Sequence, residues 1–533
     1  MHITADAVVV GGGHHGLVAA AVLADAGWDV CLLEANDTVG GAVRSAELQP
    51  GYVTDLFSAF YPLAHASPIL TSLELERHGL RWSHSPAVLA HPLADEQCAV
   101  MHRRPEDTAA GLAEHDPRDG DAWLELSEQW QRIREPFLRT LFTATPPVRG
   151  PLQLLRRIGT ADALRLVRFL LLPARRMGQE LFRSEAARLL LAGNAAHTDV
   201  PVDSPVSGTF GWLLAMLGQH GGFPVPVGGA GELSAALARR AAAAGAQLHT
   251  GERVEHIEVR GGRAVGVRTA AGHTVHARRA VIADVGAPAL YRDLLPAAAV
   301  PARLLADLRC FEWDTPVVKV NWALDGPIPW RAPAAAAAGT LHLGRDENGL
   351  VSWASEIEAG IVPHDPFLLL GQMTTADPSR SPEGTESVWA YTHLPRGISD
   401  TAAATKLADR IDEVVEGYAP GFRDRVVGRF PQLPADLEAA DANLVQGAVN
   451  GGTAQLSQQL VFRPVPGLGR SETPIGGLYL GSAAAHPGGG VHGVCGWLAA
   501  RAALGEQGAR GAVRRRITSA ALDLVYSDRR SAR

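Results

Sequence analysis

The chain has 533 residues, of which 49 are basic and 56 acidic, and a net charge of -7. Because this balance has no basic excess, nucleic acid is disfavoured as a partner, and the length predicts two or more packed domains. The four cysteines, Cys31, Cys98, Cys310 and Cys495, lie far apart without a CxxC pair. That spacing argues against a disulfide scaffold, a redox-active disulfide or a zinc site, and no metal site is predicted.

The first predicted element is an apolar strand, 7–10, that runs into Gly11, Gly13 and Gly16. A helical segment and a second apolar strand follow, and Glu34 stands eighteen positions after Gly16. This order predicts a βαβ unit that binds a dinucleotide. Gly11 permits the turn, Gly13 leaves the backbone open to a pyrophosphate, and Gly16 lets helix and strand pack closely. The helix N-terminus offers N–H groups to the phosphates, and Glu34 is placed to bind a ribose diol.

The next glycines, Gly40 and Gly41, predict a second close turn that passes along the same nucleotide. Since the first strand begins within a few residues of Met1, no cleavable signal peptide is expected, and a cytoplasmic protein is the default. From about residue 86 to residue 220 the composition predicts a largely helical insertion. Its most apolar run, 164–176, is interrupted by arginines, so it is not expected to span a membrane. Two interpretations stay open for this run: a helix lying on a membrane surface, or the favoured alternative of a partly buried helix with a solvated arginine face.

Residues 223–284 return to α/β character. Glycines precede a helix, and three alternating runs, RVEHIEV, AVGVRT and HTVHAR, predict an antiparallel meander. The apolar run 280–283 is expected to rejoin the parallel sheet. In the following region, 301–441, the clearest strand is 315–324, whereas the alanine-rich run 331–340 is interpreted as a loop or insertion.

The last segment, 474–504, repeats the strand–turn–helix order of the first segment. A short strand, GLYLG, is followed by a loop of small residues and by a helix expected to begin near Gly490. The resulting assignment is a nucleotide-binding domain of 1–85, 221–300 and 442–505 and a substrate-binding domain of 86–220 and 301–441. The C-terminal tail, 506–533, shows helical spacing and is left open to dock on its own chain, on a twin subunit or on an anionic surface.

Five motifs carry a family resemblance: GGGHHG with Glu34, VGGAV at 39–43, FPVPVGGAGEL at 223–233, LVFRPVPG, and GLYLGSAAAHPGGGVHGVCG. With them the chain resembles flavin-dependent oxidoreductases of the phytoene desaturase and amine oxidase group, especially the pyridine nucleotide-disulfide oxidoreductase domain-containing protein 2 type. The resemblance implies an α/β fold similar to that of glutathione reductase: a Rossmann-type FAD-binding domain built from three chain segments, and an α+β substrate domain with a helical insertion. Where this group often has arginine after the double glycine, this chain has Ala42, which moves the interpretation away from a carotenoid desaturase proper.

The resemblance also implies where FAD binds. It assigns Gly11, Gly13 and Gly16 to the pyrophosphate, Glu34 to the adenosine ribose and the backbone of Val254 to the adenine. The remaining cofactor-binding residues that it implies lie in the double-glycine turn and the C-terminal loop: Gly40, Gly41, Gly481, His486, Pro487, Gly488, Gly490 and Val491. The helix from about Gly490 would stabilise negative charge on the reduced flavin.

Two residues are candidates for catalysis. Lys319 lies in mid-strand, where a buried charge needs a partner or a lowered pKa, and it resembles the amine oxidase lysine that holds a water near flavin N5. His486 in the C-terminal loop titrates near neutrality and is a candidate hydrogen-bond donor to flavin or substrate. The alternatives are an edge-strand lysine that points to solvent and a loop-shaping histidine. Weaker candidates for the substrate cavity are Asp55, Tyr61, Trp212, Trp313 and Trp322, whereas His14 and His15 are expected at the surface.

The leading hypothesis is an FAD-dependent dehydrogenase, desaturase or oxidase that moves a hydride from a small, apolar or amine-bearing substrate to flavin N5. A flavin-dependent isomerase and a non-catalytic flavoprotein that acts through protein partners are the alternatives. No second dinucleotide motif with a ribose-directed acid follows downstream, so oxygen, a quinone or another acceptor is expected to take the electrons. Oligomeric state and a peripheral membrane contact are left open.

Overall fold

The computed structural model describes residues 2–93, 96–398 and 400–527. Its strands, in chain order, are β1 (His2–Val10), β2 (Val30–Leu33), β3 (Ser45–Gln49), β4 (Tyr52–Asp55), β5 (Trp82–Ser83), β6 (Ala87–Pro92), β7 (Cys98–Met101), β8 (Val225–Pro226), β9 (Gln247–His249), β10 (Val254–Arg260), β11 (Arg263–Thr269), β12 (Thr274–Ala283), β13 (Val317–Leu324), β14 (Ala338–Leu343), β15 (Leu368–Gln372), β16 (Glu386–His393), β17 (Val426–Gln432) and β18 (Leu478–Leu480). Its α-helices are α1 (His14–Asp25), α2 (Pro62–Ala66), α3 (Pro68–Ser72), α4 (Pro105–Ala113), α5 (Pro117–Leu141), α6 (Arg149–Leu171), α7 (Ala174–Leu181), α8 (Glu185–Ala195), α9 (Ser207–Gly221), α10 (Ala230–Ala243), α11 (Ala302–Asp307), α12 (Glu347–Glu358), α13 (Met373–Ala376), α14 (Thr401–Tyr418), α15 (Pro434–Ala440), α16 (Val494–Gly505) and α17 (Gly508–Tyr526).

The first sheet has a parallel core in the order β18-β12-β1-β2-β9. The predicted βαβ unit is confirmed as β1, α1 and β2, and its strands are apolar runs because helices cover both faces of such a sheet. The predicted meander is also confirmed, since β10, β11 and β12 pair antiparallel. The end of β12, 280–283, pairs parallel with β1 as expected.

The second sheet has the order β17-β13-β16-β15-β14-β6-β7 and is antiparallel except where β14 runs parallel to β6. The predicted strand 315–324 is confirmed as β13, which is buried along its whole length. The interpretation of 331–340 as a loop is wrong at its end, because 338–340 begin the buried inner strand β14. Small side chains there fit between two neighbouring strands, and this tertiary packing overrides the weak strand propensity of alanine.

The region predicted to be largely helical contains α4 to α9, together with two strands, β6 and β7, that join the second sheet. Its tryptophans form the core between the helices: the rings of Trp130 and Trp212 meet edge to face with centroids 5.3 Å apart. Among the described residues, no helix has both the length and the apolar character needed to cross a bilayer.

The C-terminal helix of the nucleotide unit starts later than predicted. α16 begins at Val494, not near Gly490, because Gly488, Gly490 and Gly493 all have positive φ (+111°, +114° and +73°). This backbone conformation is incompatible with a right-handed helix and is accessible mainly to glycine. The tail forms α17 up to Tyr526, and the predicted segment 528–533 lies outside the described residues.

Candidate functional site

A cavity of about 510 Å³ extends from the carboxyl ends of β1, β2 and β12 to the inner face of the second sheet. The predicted residues on its wall are Gly11, Gly13, Glu34, Gly41, Val254, Lys319, Gly490 and Val491. The other predicted residues are not part of this wall: Gly16, Gly40, Gly481, His486, Pro487 and Gly488. The structure therefore brings the glycine fingerprint and Lys319 to one continuous space.

The fingerprint glycines differ in what surrounds them. Gly11 has a φ of +98°, which the turn requires. At Gly13 a Cβ atom would lie 2.8 Å from Oδ2 of Asp284, on the cavity wall, so the missing side chain leaves that space open. At Gly16 a Cβ would clash with the carbonyl oxygen of Gly11, so this glycine allows α1 to pack on the end of β1.

Glu34 directly follows β2 and is held by two backbone donors. The N–H of Gly12 donates to Oε2 at 2.6 Å, and the N–H of Asn36 donates to Oε1 at 2.8 Å. The side chain is 6% exposed and faces the cavity. Each carboxylate oxygen keeps a further lone pair, so this fixed anion can accept hydrogen bonds from a diol.

The double-glycine turn reaches the cavity through one of its two residues. The N–H of Gly40 donates to the carbonyl oxygen of Gly12 at 2.8 Å, which ties the turn to the fingerprint. At Gly41 a Cβ would lie 3.1 Å from the Cα of Gly13. Ala42 lines the cavity, and Arg44 turns away to donate to the carbonyl oxygens of Gly41 and Ala440.

Asp284 is a site residue that the sequence analysis missed. Its Oδ2 accepts from the N–H of Gly16 at 2.8 Å, at the N-terminus of α1. Burial raises its pKa to about 8, and the nearby charges of Asp441 and Glu34 act in the same direction. The sequence held one signal: Asp284 follows β12, and the carboxyl ends of neighbouring parallel strands meet at the same edge of a sheet.

The C-terminal loop contributes its distal part, Gly490 and Val491, to the cavity wall. Gly481 packs instead between β12 and α16, since a Cβ would lie 3.0 Å from Cγ2 of Ile282 and 3.3 Å from Cβ of Ala499. The ring of His486 points to the end of α5, where its Nε2 bonds to the carbonyl oxygen of Thr143 at 3.0 Å. Burial lowers the pKa of His486, which keeps the ring neutral.

Arg463 is a second residue that the sequence analysis missed, and it fixes this loop by hydrogen bonds to backbone carbonyl oxygens. Its buried guanidinium donates to the carbonyl oxygens of Ala483 (3.0 Å), Thr453 (2.9 Å) and Asn450 (3.0 Å). Burial lowers its pKa. Because Asn450 and Ala483 line the cavity, one side chain fixes two segments of the wall.

Lys319 lies at the other end of the cavity and is 3% exposed, so the interpretation as a solvent-facing edge residue is wrong. Its Nζ donates to the carbonyl oxygen of Asp55, lies 3.5 Å from that of Phe57 and sits 5.6 Å from the ring centre of Trp389. Burial lowers its pKa from 10.5 to about 7, against the opposing effect of the Asp55 charge. It is one of only two lysines in the chain, the other being the exposed Lys406.

The carboxylate of Asp55 supports Lys319 from outside the cavity. It forms a fully buried ion pair with Arg380 at 2.9 Å and accepts from the N–H of Ala230 at 2.7 Å. These contacts fix the carbonyl oxygen that holds the lysine. Of the weaker candidates for the substrate cavity, Tyr61 lines it, whereas Asp55, Trp212, Trp313 and Trp322 lie elsewhere.

Aromatic and apolar groups surround Lys319. The rings of Trp389 and Tyr391, two residues apart on β16, stack with centroids 5.9 Å apart. His197 faces the same space, and its Nε2 bonds to Nε2 of His342 at 2.9 Å. Burial lowers the pKa of His197 to about 3, so this pair is neutral near pH 7. Three acidic residues of the wall, Glu34, Glu252 and Asp284, come from loops at the edge of the first sheet. The fourth, Asp441, follows α15 and lies beside Gly41.

The expectation that His15 is a surface residue is wrong, since it is 2% exposed. Ligand atoms of His15, His492 and Cys495 lie within 4.8 Å of one another. His492 uses both ring nitrogens on the backbone: Nδ1 accepts from the N–H of Val494 at 3.1 Å, and Nε2 bonds to the carbonyl oxygen of Gly488 at 3.2 Å. The cluster therefore packs α1 against the C-terminal loop.

These residues fit FAD. The space that a Cβ at Gly13 would fill, the N-terminus of α1 and the fixed acceptor Glu34 match the needs of a pyrophosphate and a ribose. The same wall includes Lys319 and the aromatic side chains of Trp389 and Tyr391. Fold and site together define a dinucleotide-binding oxidoreductase of the α/β class.

The chain matches the family described as "Flavin containing amine oxidoreductase" over residues 16–504, and it belongs to that family. FAD is its cofactor. It is 30% identical to pyridine nucleotide-disulfide oxidoreductase domain-containing protein 2 of Rattus norvegicus over 93% of this chain and 92% of that protein. It is 29% identical to the lycopene-forming phytoene desaturase of Pseudescherichia vulneris over 55% and 58% of the two chains. In fold it is similar to putrescine oxidase bound to putrescine, with a TM-score of 0.60, 18% identity and coverage of 95% and 99%. The predicted resemblance is confirmed.

Proposed function

We propose that this protein dehydrogenates a small, uncharged substrate by moving a hydride to FAD, with Lys319 as the group that handles the accompanying proton. The observation that carries the proposal is the lysine itself: a buried amine with a pKa of about 7, in the same cavity as the glycine fingerprint. An amine with that pKa exchanges a proton readily near neutral pH, as a general base requires. FAD supplies the two-electron acceptor when bound.

The nucleotide end of the cavity binds and orients the cofactor. Gly13 and the N-terminus of α1 receive the pyrophosphate, and Glu34 accepts from the ribose. The backbone of Val254, at the start of β10, lies on the same wall and is the proposed contact of the adenine. These residues would hold the adenosine and the pyrophosphate, which would leave the part of the cavity beside Lys319 for the redox-active ring and the substrate.

Lys319 holds the proton at a defined atom. Its Nζ is fixed by carbonyl oxygens, which accept from either the amine or the ammonium form. In dehydrogenation the substrate loses a hydride to the cofactor and a proton to a base, and the neutral amine of Lys319, or a water that it holds, receives that proton. Asp55 and Arg380 act as positioning residues, since their ion pair fixes the end of β4, where the carbonyl oxygen of Asp55 holds Nζ.

The walls around Lys319 favour an uncharged substrate. Phe60, Leu214, Phe223, Leu369 and Trp389 exclude water and offer apolar contact. The acidic residues that would attract an ammonium group belong to the nucleotide end. A phytoene desaturase among the relatives acts on an apolar molecule and a putrescine oxidase of similar fold binds an amine. The electrostatics of this cavity support the apolar side of that range, or an amine bound as its free base.

An anaerobic substrate screen tests the proposal. The FAD-loaded protein is mixed in turn with cyclic hydrocarbons, alcohols and uncharged amines. Bleaching of the visible flavin absorbance reports hydride transfer. We expect at least one uncharged compound to bleach the flavin, and Lys319→Met to slow that bleaching by about a hundredfold or more, the usual size of a lost general base. Lys406→Met is the matched control and should react like wild type.

The other outcomes discriminate between the proposed functions. Conversion of a compound to an isomer without net reduction of an added quinone or of oxygen would replace dehydrogenation with isomerisation. A flavin that dithionite reduces but that no compound of any class bleaches would contradict the proposal and favour a role through protein partners.

A further inference from the structure

Exposed apolar side chains are concentrated in three segments of the chain. Thirteen of the sixteen large apolar residues that are exposed among the described residues fall in 148–171, 456–462 and 513–524. In α6 and just before it these are Val148, Leu152, Leu155, Leu164, Val167 and Leu171, at 41% to 69% exposure. In α17 they are Val513, Ile517 and Leu524, at 58% to 66% exposure. A contiguous apolar surface on a folded protein usually marks an interaction site.

α6 is interrupted at Gly159, which has a φ of +77°, so it presents one short apolar stripe on each half, and α17 presents a third. Val148, Leu152 and Leu155 share a face of the first half of α6, and Leu164, Val167 and Leu171 share a face of the second half, because residues three and four apart lie on one side of a helix. α17 docks on the protein through Leu522 and Tyr526, which are buried. Ile517 and Leu524 of the same helix are exposed and are not used for that docking.

One loop, 466–472, contacts the chain just before α6, the segment 456–462 and α17. Arg470 of this loop donates to the carbonyl oxygen of Thr145, next to the start of α6, at 3.3 Å. Glu472 pairs with Arg514 of α17 at 3.1 Å, and the hydroxyl of Tyr526 donates to the carbonyl oxygen of Pro466 at 2.6 Å. The N–H of Gly467 donates to the carbonyl oxygen of Val461 at 2.9 Å. We refer to α6, the segment 456–462 and α17 together as the α6–α17 face.

This face is basic although the whole chain has a net charge of -7. α6 contains five arginines and one acid, Asp162, and α17 contains four arginines and one acid, Asp523. One of the α6 arginines, Arg168, is paired with Glu180 of α7 at 2.7 Å. Several arginines of the face are exposed and form no salt bridge within the described part of the chain: Arg149, Arg156, Arg157, Arg510 and Arg516. Positive charge is thus segregated onto the surface that carries the exposed apolar stripes.

We propose that the α6–α17 face docks the protein on a membrane surface that contains anionic lipid. Apolar side chains in the headgroup region combined with flanking arginines are the pattern of helices that lie in the plane of such a surface. The long arginine stems can lie along apolar surface while their guanidinium groups reach the phosphates. A second copy of this chain fits less well, because a twofold interface would bring the same arginine clusters together.

The test is co-sedimentation of the full-length, FAD-loaded protein with lipid vesicles. One set contains phosphatidylcholine alone and the other phosphatidylcholine with phosphatidylglycerol. We expect at least tenfold tighter binding to the anionic vesicles and a loss of that advantage at high salt. The paired variants Leu152→Gln with Leu155→Gln and Arg156→Gln with Arg157→Gln should each weaken binding about tenfold.

The matched control pair is Ile361→Gln with Val427→Gln, two residues of similar exposure outside the face. It should bind like wild type, and the flavin spectrum of each variant verifies that the fold is intact. The proposal is overturned if wild type binds neither vesicle, or if the control pair weakens binding as much as the variants in α6. It is also overturned if light scattering shows a dimer that the Leu152 and Leu155 pair dissociates, since a second copy would then occupy the face.

Discussion

Replacing Lys319 with methionine should stabilise the protein near neutral pH while removing its reactive amine. Burial lowers the pKa of this lysine from 10.5 to about 7. At about 1.4 kcal/mol per pKa unit, holding the charge inside the fold costs about 5 kcal/mol. Methionine has a similar volume and no charge, so it avoids this cost. The variant loses the hydrogen bond to the carbonyl oxygen of Asp55, which lowers its free energy of unfolding by about 1 kcal/mol at every pH.

The pH dependence of the free energy of unfolding gives a more specific prediction. Between the two pKa values the unfolded chain binds a proton at Lys319 that the folded chain has released, so wild-type stability rises with pH in this window. Below about pH 7 both states are protonated and the full cost applies, and by pH 10.5 it has disappeared. The stability advantage of Lys319→Met should therefore shrink by about 1.4 kcal/mol per pH unit across the window.

Urea unfolding at a fixed excess of FAD, repeated across this pH range, measures the difference between variant and wild type. Other titrating groups cancel in that difference, and Lys406→Met should give a difference close to zero at every pH, since Lys406 is exposed. A flat difference for Lys319→Met would refute the burial argument. Because the chain has only these two lysines, NMR of protein labelled with ¹³C at the lysine Cε atoms gives an independent value of each pKa.

Three further predictions concern the nucleotide end. Glu34→Gln should weaken FAD binding about tenfold to a hundredfold, the size of a lost charge-assisted hydrogen bond, and titration of flavin-free protein with FAD measures it. Wild-type FAD affinity should fall as the pH rises through about 8, because Asp284 then ionises beside the pyrophosphate. The affinity of Asp284→Asn for FAD should not change with pH over the same range. An equal pH dependence in both proteins would exclude Asp284 as the cause. Gly16→Ala should yield no soluble protein that binds FAD, since the added methyl group meets the carbonyl oxygen of Gly11. The control Gly111→Ala, on an open helix face, should leave expression and thermal stability at or slightly above those of wild type.

The sequence predicted those parts of the fold that local chemistry determines. The fingerprint glycines were identifiable because Gly11 takes a positive φ and because a side chain at Gly13 or Gly16 would meet a neighbouring group. The meander was identifiable from its alternation of apolar and polar residues. Lys319 stood out because a lysine within an apolar strand must be accommodated. For these residues, the neighbouring sequence is enough to predict the structural role.

The parts that could not be predicted depend on contacts between distant segments. Asp284 reaches Gly16 across 268 positions, and Arg463 matters because two loops bring their carbonyl oxygens to it. The orientation of His486 depends on Thr143, which the helical insertion supplies. The strand β14 begins within an alanine-rich run and pairs with β15 and β6, which are distant in sequence, so no local pattern encodes it.

The measurement that tests the central claim most directly is a crystal structure of the protein purified with FAD. The account predicts the adenosine between Glu34 and Val254, the pyrophosphate at Gly13 and the N-terminus of α1, and the flavin ring beside Nζ of Lys319. A flavin ring that lies away from Lys319, or an adenosine bound at the second sheet, would contradict it.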